Sequence, residues 1–319
     1  MKSTHALINQ GIKGLHQAHA EGESAKLGNL RAGGSGVIVF GSKITGSCMR
    51  TAYLRSIGVD GNPVSEDREH MFAGGRGNED LLIAMLEAAN EEGLAWLREE
   101  EFPMTWMTKN GRKVTGRPDV VLGKWVDSEF KATRILELKL VSSMYTAKSV
   151  AIDGAPKLAH VIQASHYSLK LGVPIEIWYT SRADFHVTEF IKKEIPKGLD
   201  IIEYNWQGDA KKILPFMQGY AISVTSDGQV CYQMIDRKSG ELGPKVQTVV
   251  TTSGITDFFE QLATMEATDE LPPKPSKIDL DGSEQSWSLC NYCALKPVCM
   301  SYKGKSTSEW LGKVKEFKK

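Results

Sequence analysis

The sequence predicts an α/β protein. Segments with strand-like alternation of apolar residues, such as 134–141, are interspersed with segments of helical spacing, such as 77–92 and 157–171. The chain has 319 residues, of which 41% are hydrophobic, so it can bury a sizeable core in one large domain or two smaller ones. A chain of this composition is not expected to be disordered.

The first predicted elements lie before residue 66. They are a helix over 5–19, a loop rich in Gly, Ala and Ser over 21–36, and a short strand over 37–40. Ser47 is a typical N-cap residue for a following helix that carries Cys48. Glycine and proline over 58–65 then interrupt regular structure.

The next elements are a helix, a hairpin and a strand. Leu82, Leu86 and Ala89 recur at helical spacing and predict a helix over 77–92. The segment Lys109-Asn-Gly-Arg112 predicts a hairpin, because Asn-Gly is a strong signal for a tight turn between strands. The hairpin strands are expected over 99–108 and 113–122, and a further strand over 134–141.

The remaining elements follow in chain order. They are a helix over 157–171 ended by Gly172 and Pro174, strands over 175–180 and 185–191, a hairpin near 226–228, a helix over 257–265, a proline-containing linker over 266–286 and a tail over 301–319. We therefore divide the chain into four consecutive segments. They are an N-terminal helix and loop (1–41), a core (42–199), an additional β/α region of unclear role (200–265), and a segment with linker, cysteine cluster and basic tail (266–319).

The charge of the chain is balanced. Lysine plus arginine is 39 and aspartate plus glutamate is 39, which excludes nucleic-acid binding through bulk positive charge but leaves local basic patches. The tail 301–319 is such a patch, with six lysines and two glutamates, although it also fits a solvated helix. No apolar run approaches the roughly 20 residues of a membrane span. The N-terminal segment lacks an apolar secretory core, so we expect a cytoplasmic protein with no membrane partner.

Five cysteines include a cluster with the spacing of a metal site. Cys290, Cys293 and Cys299 form a C-x2-C-x5-C pattern, and an odd total excludes complete disulfide pairing within one chain. A tetrahedral site needs a fourth ligand, for which Cys48 at a predicted helix start is favoured over Cys231 in a predicted strand. The alternative is that these thiols are simply buried as small apolar side chains.

Three acids and a lysine form the second chemical pattern. Asp119 precedes an apolar run, and Glu137 and Lys139 share one face of the strand 134–141, since alternate strand residues point the same way. Glu79 lies on the apolar stripe of the helix 77–92. Charged groups in apolar segments are costly unless paired or bound to metal. We therefore expect Glu79, Asp119 and Glu137 to bind Mg²⁺ or Mn²⁺, and Lys139 to assist an attacking water at a phosphate.

A polar row follows on the predicted helix 157–171. Gln163 and Tyr167 are four residues apart and His160 precedes Gln163 by three, so the three side chains share one face. Such a row is suited to holding a nucleic-acid strand near the metal. Taken singly, these residues also fit a helix surface, and Glu79 fits a first-turn acid that favours the helix dipole.

These motifs, in this order, resemble the PD-(D/E)XK nuclease superfamily and, more narrowly, its RecB-like branch with an iron–sulfur cluster. That branch includes the CRISPR-associated iron–sulfur exonucleases and the nuclease part of the AddB helicase–nuclease. The matching segments are Pro118-Asp119 with Glu137-Leu-Lys139, the Q-x3-Y motif Gln163 to Tyr167, and the arrangement of one early and three late cysteines. The resemblance covers about residues 42 to 300. One departure is Gly75-Arg-Gly-Asn-Glu79, where many relatives have G-x3-H.

The resemblance implies a restriction-endonuclease-like core with a mixed central sheet flanked by helices, tied at its N- and C-terminal segments by the metal cluster. It implies a 4Fe–4S cluster on Cys48, Cys290, Cys293 and Cys299, with zinc as the alternative, since four thiolates suit either metal. It also implies that the carbonyl of Leu138 joins the three carboxylates at the Mg²⁺ or Mn²⁺ site. The implied activity is a metal-dependent deoxyribonuclease, with Asp119, Glu137, Lys139, Gln163 and Tyr167 catalytic.

The implied substrate is single-stranded DNA or DNA ends, cleaved by an exonuclease in recombination, repair, replication or CRISPR adaptation, in a phage or bacterium. A flap or site-specific endonuclease of the same fold is one alternative, and a non-catalytic nucleic-acid-binding module with a structural metal is another. The run Gly36-x4-Gly41-Ser42-Lys43 does not match a P-loop, because Lys and Ser stand in reversed order. Any helicase action would therefore come from a helicase or recombination partner.

Overall fold

The computed structural model describes the greater part of the chain, in separate stretches. They are residue 17 and residues 30–31, 38–40, 43–45, 48–59, 66–89, 91–141, 150, 154–181, 185–186, 202–206, 209–214, 217–236, 239–273, 299 and 301–317. The predictions for 5–19 apart from residue 17, for most of 21–36, for 60–65, 187–191 and 274–286, and for Cys290 and Cys293 lie outside the described residues. Among the described helices, none is long and apolar enough to cross a bilayer.

Five helices are described. They are α1 (Met49–Ser56), α2 (Glu66–Ala89), α3 (Leu158–Leu171), α4 (Thr252–Ala267) and α5 (Thr307–Phe317).

Fifteen strands are described. They are β1 (Leu30–Arg31), β2 (Ile38–Phe40), β3 (Lys43–Thr45), β4 (Ala95–Arg98), β5 (Met104–Met107), β6 (Lys113–Gly116), β7 (Val120–Val126), β8 (Glu129–Val141), β9 (Ile175–Ser181), β10 (Phe185–His186), β11 (Ile202–Trp206), β12 (Asp209–Leu214), β13 (Met217–Val224), β14 (Gln229–Ile235) and β15 (Val246–Thr251).

The chain divides into two compact units, each made of separate stretches of sequence. One unit comprises 1–74, 103–117 and 249–319, and the other comprises 75–102 and 118–248. The second unit contains most of the large sheet and all the predicted carboxylate residues. The four consecutive segments drawn from the sequence stay a prediction.

A seven-stranded mixed sheet is the main layer, in the order β15-β14-β13-β9-β8-β7-β4. Strands β8 and β9 are parallel, whereas β4, β7, β13 and β14 join through antiparallel pairs. Helix α3 provides the crossover between β8 and β9 and packs on them. The predicted α/β class with a mixed sheet flanked by helices is confirmed at this level.

The buried faces explain why these segments form strands. Val120 and Leu122 of β7 pack with Leu136 and Leu138 of β8, and Ile83 of α2 covers them. These four strand residues alternate with residues of the opposite face, as the period of two requires. One face of the β7–β8 pair therefore packs on α2, and Glu137 and Lys139 lie on the opposite face, which also carries the buried Val121 and Ile135.

Several predicted boundaries are wrong. The second hairpin strand, predicted over 113–122, is two strands in different sheets, β6 and β7, because Pro118 lacks the N–H that a continuous ladder needs. Helix α2 begins at Glu66 rather than at 77 and ends at Ala89. Helix α4 begins at Thr252, with the Thr251 hydroxyl accepting a hydrogen bond from the Gly254 N–H at 3.2 Å, rather than at 257.

The N-cap of the first helix is also corrected. Cys48, not Ser47, occupies the N-cap position of α1, and its side chain makes no capping hydrogen bond. Other predictions hold closely. Helix α3 ends at Gly172 in the left-handed conformation (φ 67°), and β5 and β6 form the antiparallel hairpin that the Asn-Gly turn predicts.

Candidate active site and cysteine site

The start of β7 and the middle of β8 bring Asp119 and Glu137 together. Asp119 directly precedes β7, and its Oδ2 accepts a hydrogen bond from the Leu138 backbone N–H at 2.6 Å. This contact forms because Leu138 lies two residues beyond Leu136, the register partner of Val120, and so falls opposite Pro118. Because the ladder is interrupted at Pro118, the Leu138 N–H of β8 hydrogen-bonds to the Asp119 carboxylate instead of to a backbone carbonyl of β7.

Lys139 binds both carboxylates. Its Nζ donates a hydrogen bond to Glu137 Oε1 and lies 3.8 Å from Asp119 Oδ2. Glu137 has no solvent-exposed surface, and its second oxygen, Oε2, has no hydrogen-bond partner among the residues that the structure describes. One ammonium group therefore serves two buried carboxylates and leaves one buried oxygen unsatisfied, which is a costly arrangement.

Burial and mutual repulsion perturb the acids. Burial, followed by the charge of Asp119, raises the pKa of Glu137 to about 8. Burial also raises the pKa of Asp119, although Lys139 and the Leu138 N–H oppose this. Burial lowers the pKa of Lys139, but Glu137 and Asp119 outweigh burial, so that its pKa is raised overall. The lysine stays charged while its carboxylate neighbours are reluctant to ionise.

Glu79 belongs to the same electrostatic cluster. It lies half-buried on α2, one turn before Ile83, and burial followed by the charge of Asp119 raises its pKa to about 7. When all four groups are ionised, three negative charges stand against one positive charge. The cluster then carries a net charge of about −2, which a divalent cation would neutralise.

The predicted metal ligands are only partly assembled. Among the described residues, no group of three or more His, Cys, Asp and Glu side chains is arranged to hold a metal ion. Asp119 and Glu137 share Lys139, whereas Glu79 acts on them through its charge. The donor set still fits a hard cation, because Glu137 Oε2 is buried without a partner and carboxylate oxygens suit Mg²⁺ or Mn²⁺.

The carbonyl of Leu138 has the backbone setting that a further oxygen ligand needs. In an antiparallel pair, the N–H and C=O of one residue point to the same neighbouring strand. Since the Leu138 N–H meets Asp119, its carbonyl points to the same side, opposite Pro118. Proline has no N–H to donate, so Pro118 cannot give this carbonyl a ladder hydrogen bond.

Helix α3 places the predicted polar row against β9. The Gln163 amide Nε2 donates to the Tyr167 hydroxyl at 3.4 Å, and Tyr167 is buried. His160, one turn earlier, has its Nδ1 2.9 Å from the Tyr179 hydroxyl. The two motif residues therefore touch each other, as their four-residue spacing predicts.

Tyr179 was missed by sequence reasoning. It is the register partner of Lys139 in the parallel pair of β8 and β9, and its hydroxyl accepts a hydrogen bond from the Lys157 N–H at 3.0 Å. Burial lowers the pKa of His160, with Lys139 and Lys157 adding to this, so His160 is neutral, and its Nδ1 shares a hydrogen bond with the Tyr179 hydroxyl. A tyrosine in an apolar strand gives no sequence signal that it will lie beside Lys139 and hydrogen-bond with His160.

The cysteine prediction is described at two of its four positions. Cys48 lies at the start of α1, and Cys299 Sγ lies 3.4 Å from the Nη1 of Arg50, two residues after Cys48 on the same helix. Burial raises the pKa of Cys48, with a smaller contribution from the charge of Cys299, and neither thiol forms a disulfide. Cys231 is fully buried in β14, as its predicted strand position requires. Cys48 thus remains the better candidate for the fourth ligand, with two sulfur donors that fit a thiolate-bound metal.

Comparison with protein-family models and with curated protein sequences finds no match.

Proposed function

We propose that the protein is a metal-dependent DNA nuclease, most simply an exonuclease that acts on single-stranded DNA or DNA ends. The observation that carries this proposal is the buried group of Asp119, Glu137 and Lys139, with one carboxylate oxygen unsatisfied. A lysine retained between two acids whose pKa values are raised is typical of a reactive centre. It is hard to explain by stability, because apolar residues would fill the same space at lower cost.

The residues of the cluster have separate roles in this proposal. Asp119 and Glu137, with the Leu138 carbonyl and Glu79, would hold Mg²⁺ or Mn²⁺. When bound, a divalent cation supplies Lewis acidity and positive charge beside the phosphate. Lys139, which stays protonated, donates hydrogen bonds to the attacking water or to the charge that develops on the phosphate.

Helix α3 would position the DNA strand. Gln163 is half-buried and offers an amide beside Tyr167, and amide and hydroxyl groups can bind phosphate and sugar oxygens. These groups carry no base preference, which suits an exonuclease that moves along varied sequence. A helicase or recombination partner would supply any unwinding.

A structural metal at the cysteines is the second part of the proposal. Cys48, Cys290, Cys293 and Cys299 would bind a 4Fe–4S cluster, or zinc in its place. The metal would tie the start of α1 to the C-terminal segment and close a long loop of chain, which stabilises the folded state. Absorption near 400 nm of protein purified without oxygen distinguishes the two metals, since zinc thiolates are colourless.

Matched variants on one strand test the nuclease. Lys139→Met and Glu137→Gln remove cluster charges of β8, and Lys131→Met and Glu129→Gln remove exposed charges of the same strand. With Mg²⁺ or Mn²⁺, we expect the first pair to lose at least ~100-fold in the rate of DNA degradation and the second pair to be unchanged. DNA binding should persist in all four variants.

The substrates decide between the alternatives. End-labelled linear single-stranded DNA should be degraded, whereas circular single-stranded DNA should survive. Cleavage of the circle would indicate an endonuclease of the same fold. If purified wild-type protein binds DNA but degrades none of it with either metal, the non-catalytic binding module replaces the nuclease proposal.

A further inference from the structure

Arg50 is a buried cation beside the cysteines. It lies in the first turn of α1, two residues after Cys48, and its side chain is only 4% exposed. Its Nε donates a hydrogen bond to the Pro272 carbonyl at 2.6 Å, and its Nη1 lies 3.4 Å from Cys299 Sγ. One guanidinium therefore contacts a cysteine and a backbone carbonyl that are both more than 200 positions away along the chain.

The charge of Arg50 is not compensated by these contacts. Among the residues that the structure describes, no carboxylate lies within salt-bridge distance of it. A carbonyl is neutral, and a protonated thiol is a weak acceptor. Arginine does not deprotonate in proteins, so burial leaves a full positive charge that needs an anion.

A thiolate-bound metal supplies an anion of the required kind. Four thiolates around Zn²⁺, or around a 4Fe–4S core in its common oxidised state, sum to a charge of roughly −2. Cys299 Sγ already receives the Nη1 contact, and Cys48 is the N-cap of the same helix two residues before Arg50, so the charge would develop where the guanidinium points. This holds for either metal.

We propose that Arg50 is the counter-charge of a metal centre that includes Cys48 and Cys299, and that it secures the Pro272 segment to that centre. The proposal rests on the cysteine part of the proposed function and is independent of the nuclease chemistry. An N–H donor to a ligand sulfur stabilises the thiolate and so slows loss of the metal. Arg50 acts through the ligand sulfur, which makes it a positioning residue.

Metal release tests the role of Arg50. Full-length wild type, Arg50→Gln, Arg50→Lys and the control Arg55→Gln, which removes an exposed arginine of the same helix, are purified without oxygen. Iron, sulfide and zinc per chain are measured, followed by the rate of metal transfer to a chelator. We expect wild type and Arg55→Gln to retain metal equally, and Arg50→Gln to lose it ~10–100-fold faster. Arg50→Lys, which keeps the charge but not the planar fork, should be intermediate.

A second readout separates this role from simple packing. The melting temperature of each protein is measured with metal and after its removal. If Arg50 is a counter-charge, Arg50→Gln should show a smaller increase in melting temperature on metal binding than the wild type. If Arg50 only packs, the variant should lose the same number of degrees with metal and without it, and that result would overturn the proposal. If Arg50→Gln does not fold, Arg50→Met, which also removes the charge, decides, and metal release from it as slow as from wild type refutes the role.

The outcomes also separate this proposal from the nuclease. A wild-type protein that binds neither zinc nor iron at the cysteines overturns the Arg50 inference and leaves the carboxylate site untouched. Conversely, Lys139→Met should release its cysteine-bound metal at the wild-type rate even if no variant degrades DNA.

Discussion

Replacing Glu137 with glutamine should make the folding stability less sensitive to pH while removing the activity. Glu137 is fully buried, and burial and the charge of Asp119 raise its pKa from an ordinary 4.5 to about 8. Between these values the folded protein keeps the proton and the unfolded chain releases it. The unfolded state then binds fewer protons, so the free energy of unfolding of the wild type falls as pH rises through this window.

The size of the effect follows from the pKa. Each pH unit within the window corresponds to about 1.36 kcal/mol, so Glu137 alone removes up to about 4 kcal/mol between pH 5 and pH 8. Glutamine keeps the shape and does not titrate. It weakens the contact with Lys139, which lowers stability at every pH, but the contribution of Glu137 to the pH dependence should disappear, while those of Asp119 and Glu79 remain.

Urea denaturation at pH 5 and pH 8, with no divalent cation added, measures this difference. We expect the free energy of unfolding of Glu137→Gln, relative to that of the wild type, to rise by about a few kcal/mol between pH 5 and pH 8. Glu129→Gln, an exposed position on the same strand, should follow the wild type. Equal pH slopes for the wild type and Glu137→Gln would refute the description of Glu137 as a buried, reluctantly ionised group.

Two further predictions concern the stability of the protein at positions outside the cluster of Glu79, Asp119, Glu137 and Lys139. Gly123→Ala should destabilise by ~1–3 kcal/mol, because the added Cβ would lie 2.3 Å from the Lys131 carbonyl oxygen, whereas Gly77→Ala in α2 meets nothing within 4 Å and should stabilise by ~0.5–1 kcal/mol. Thermal melts of both variants check this, and a Gly123→Ala protein as stable as wild type would contradict the close approach. Asp269 accepts hydrogen bonds from Ser306 and Ser308, which lower its pKa, so its stabilisation is present above its ordinary pKa and is lost as pH falls. Asp269→Asn should therefore lower the melting temperature at pH 7 but not near pH 2, and an equal loss at both would contradict it.

The sequence predicted best those helices and strands whose signals, such as apolar spacing and capping residues, lie within the element itself. Helix α3 was predicted over 157–171 and spans Leu158–Leu171, since its apolar spacing and its C-cap Gly172 act locally. Helix α2 was predicted to begin at 77, because the helical spacing was recognised only from Leu82, Leu86 and Ala89, and Gly74, Gly75 and Gly77 precede or open that stretch. The structure carries the helix through them from Glu66, so tertiary context overrides propensity there.

Strand alternation also placed Glu137 and Lys139 on one face, and the structure adds what alternation cannot show. Tyr179 becomes the neighbour of Lys139 only through the parallel register of β8 and β9. Arg50 meets Cys299 across 249 positions of sequence. Such partners are set by packing between distant elements, for which one sequence carries no direct signal.

The balanced charge of the chain conceals two local imbalances of opposite sign. In one unit, three acids share one lysine, and in the other a buried arginine has no carboxylate partner among the described residues. Either arrangement lowers the stability of the metal-free protein, because buried charges are costly without compensation. Each would be compensated by what its donors can bind, a divalent cation at the carboxylates and an anionic thiolate centre at the cysteines. If both imbalances were purely structural, Glu137→Gln would keep the activity and Arg50→Gln would keep the metal, so these two variants distinguish the two cases.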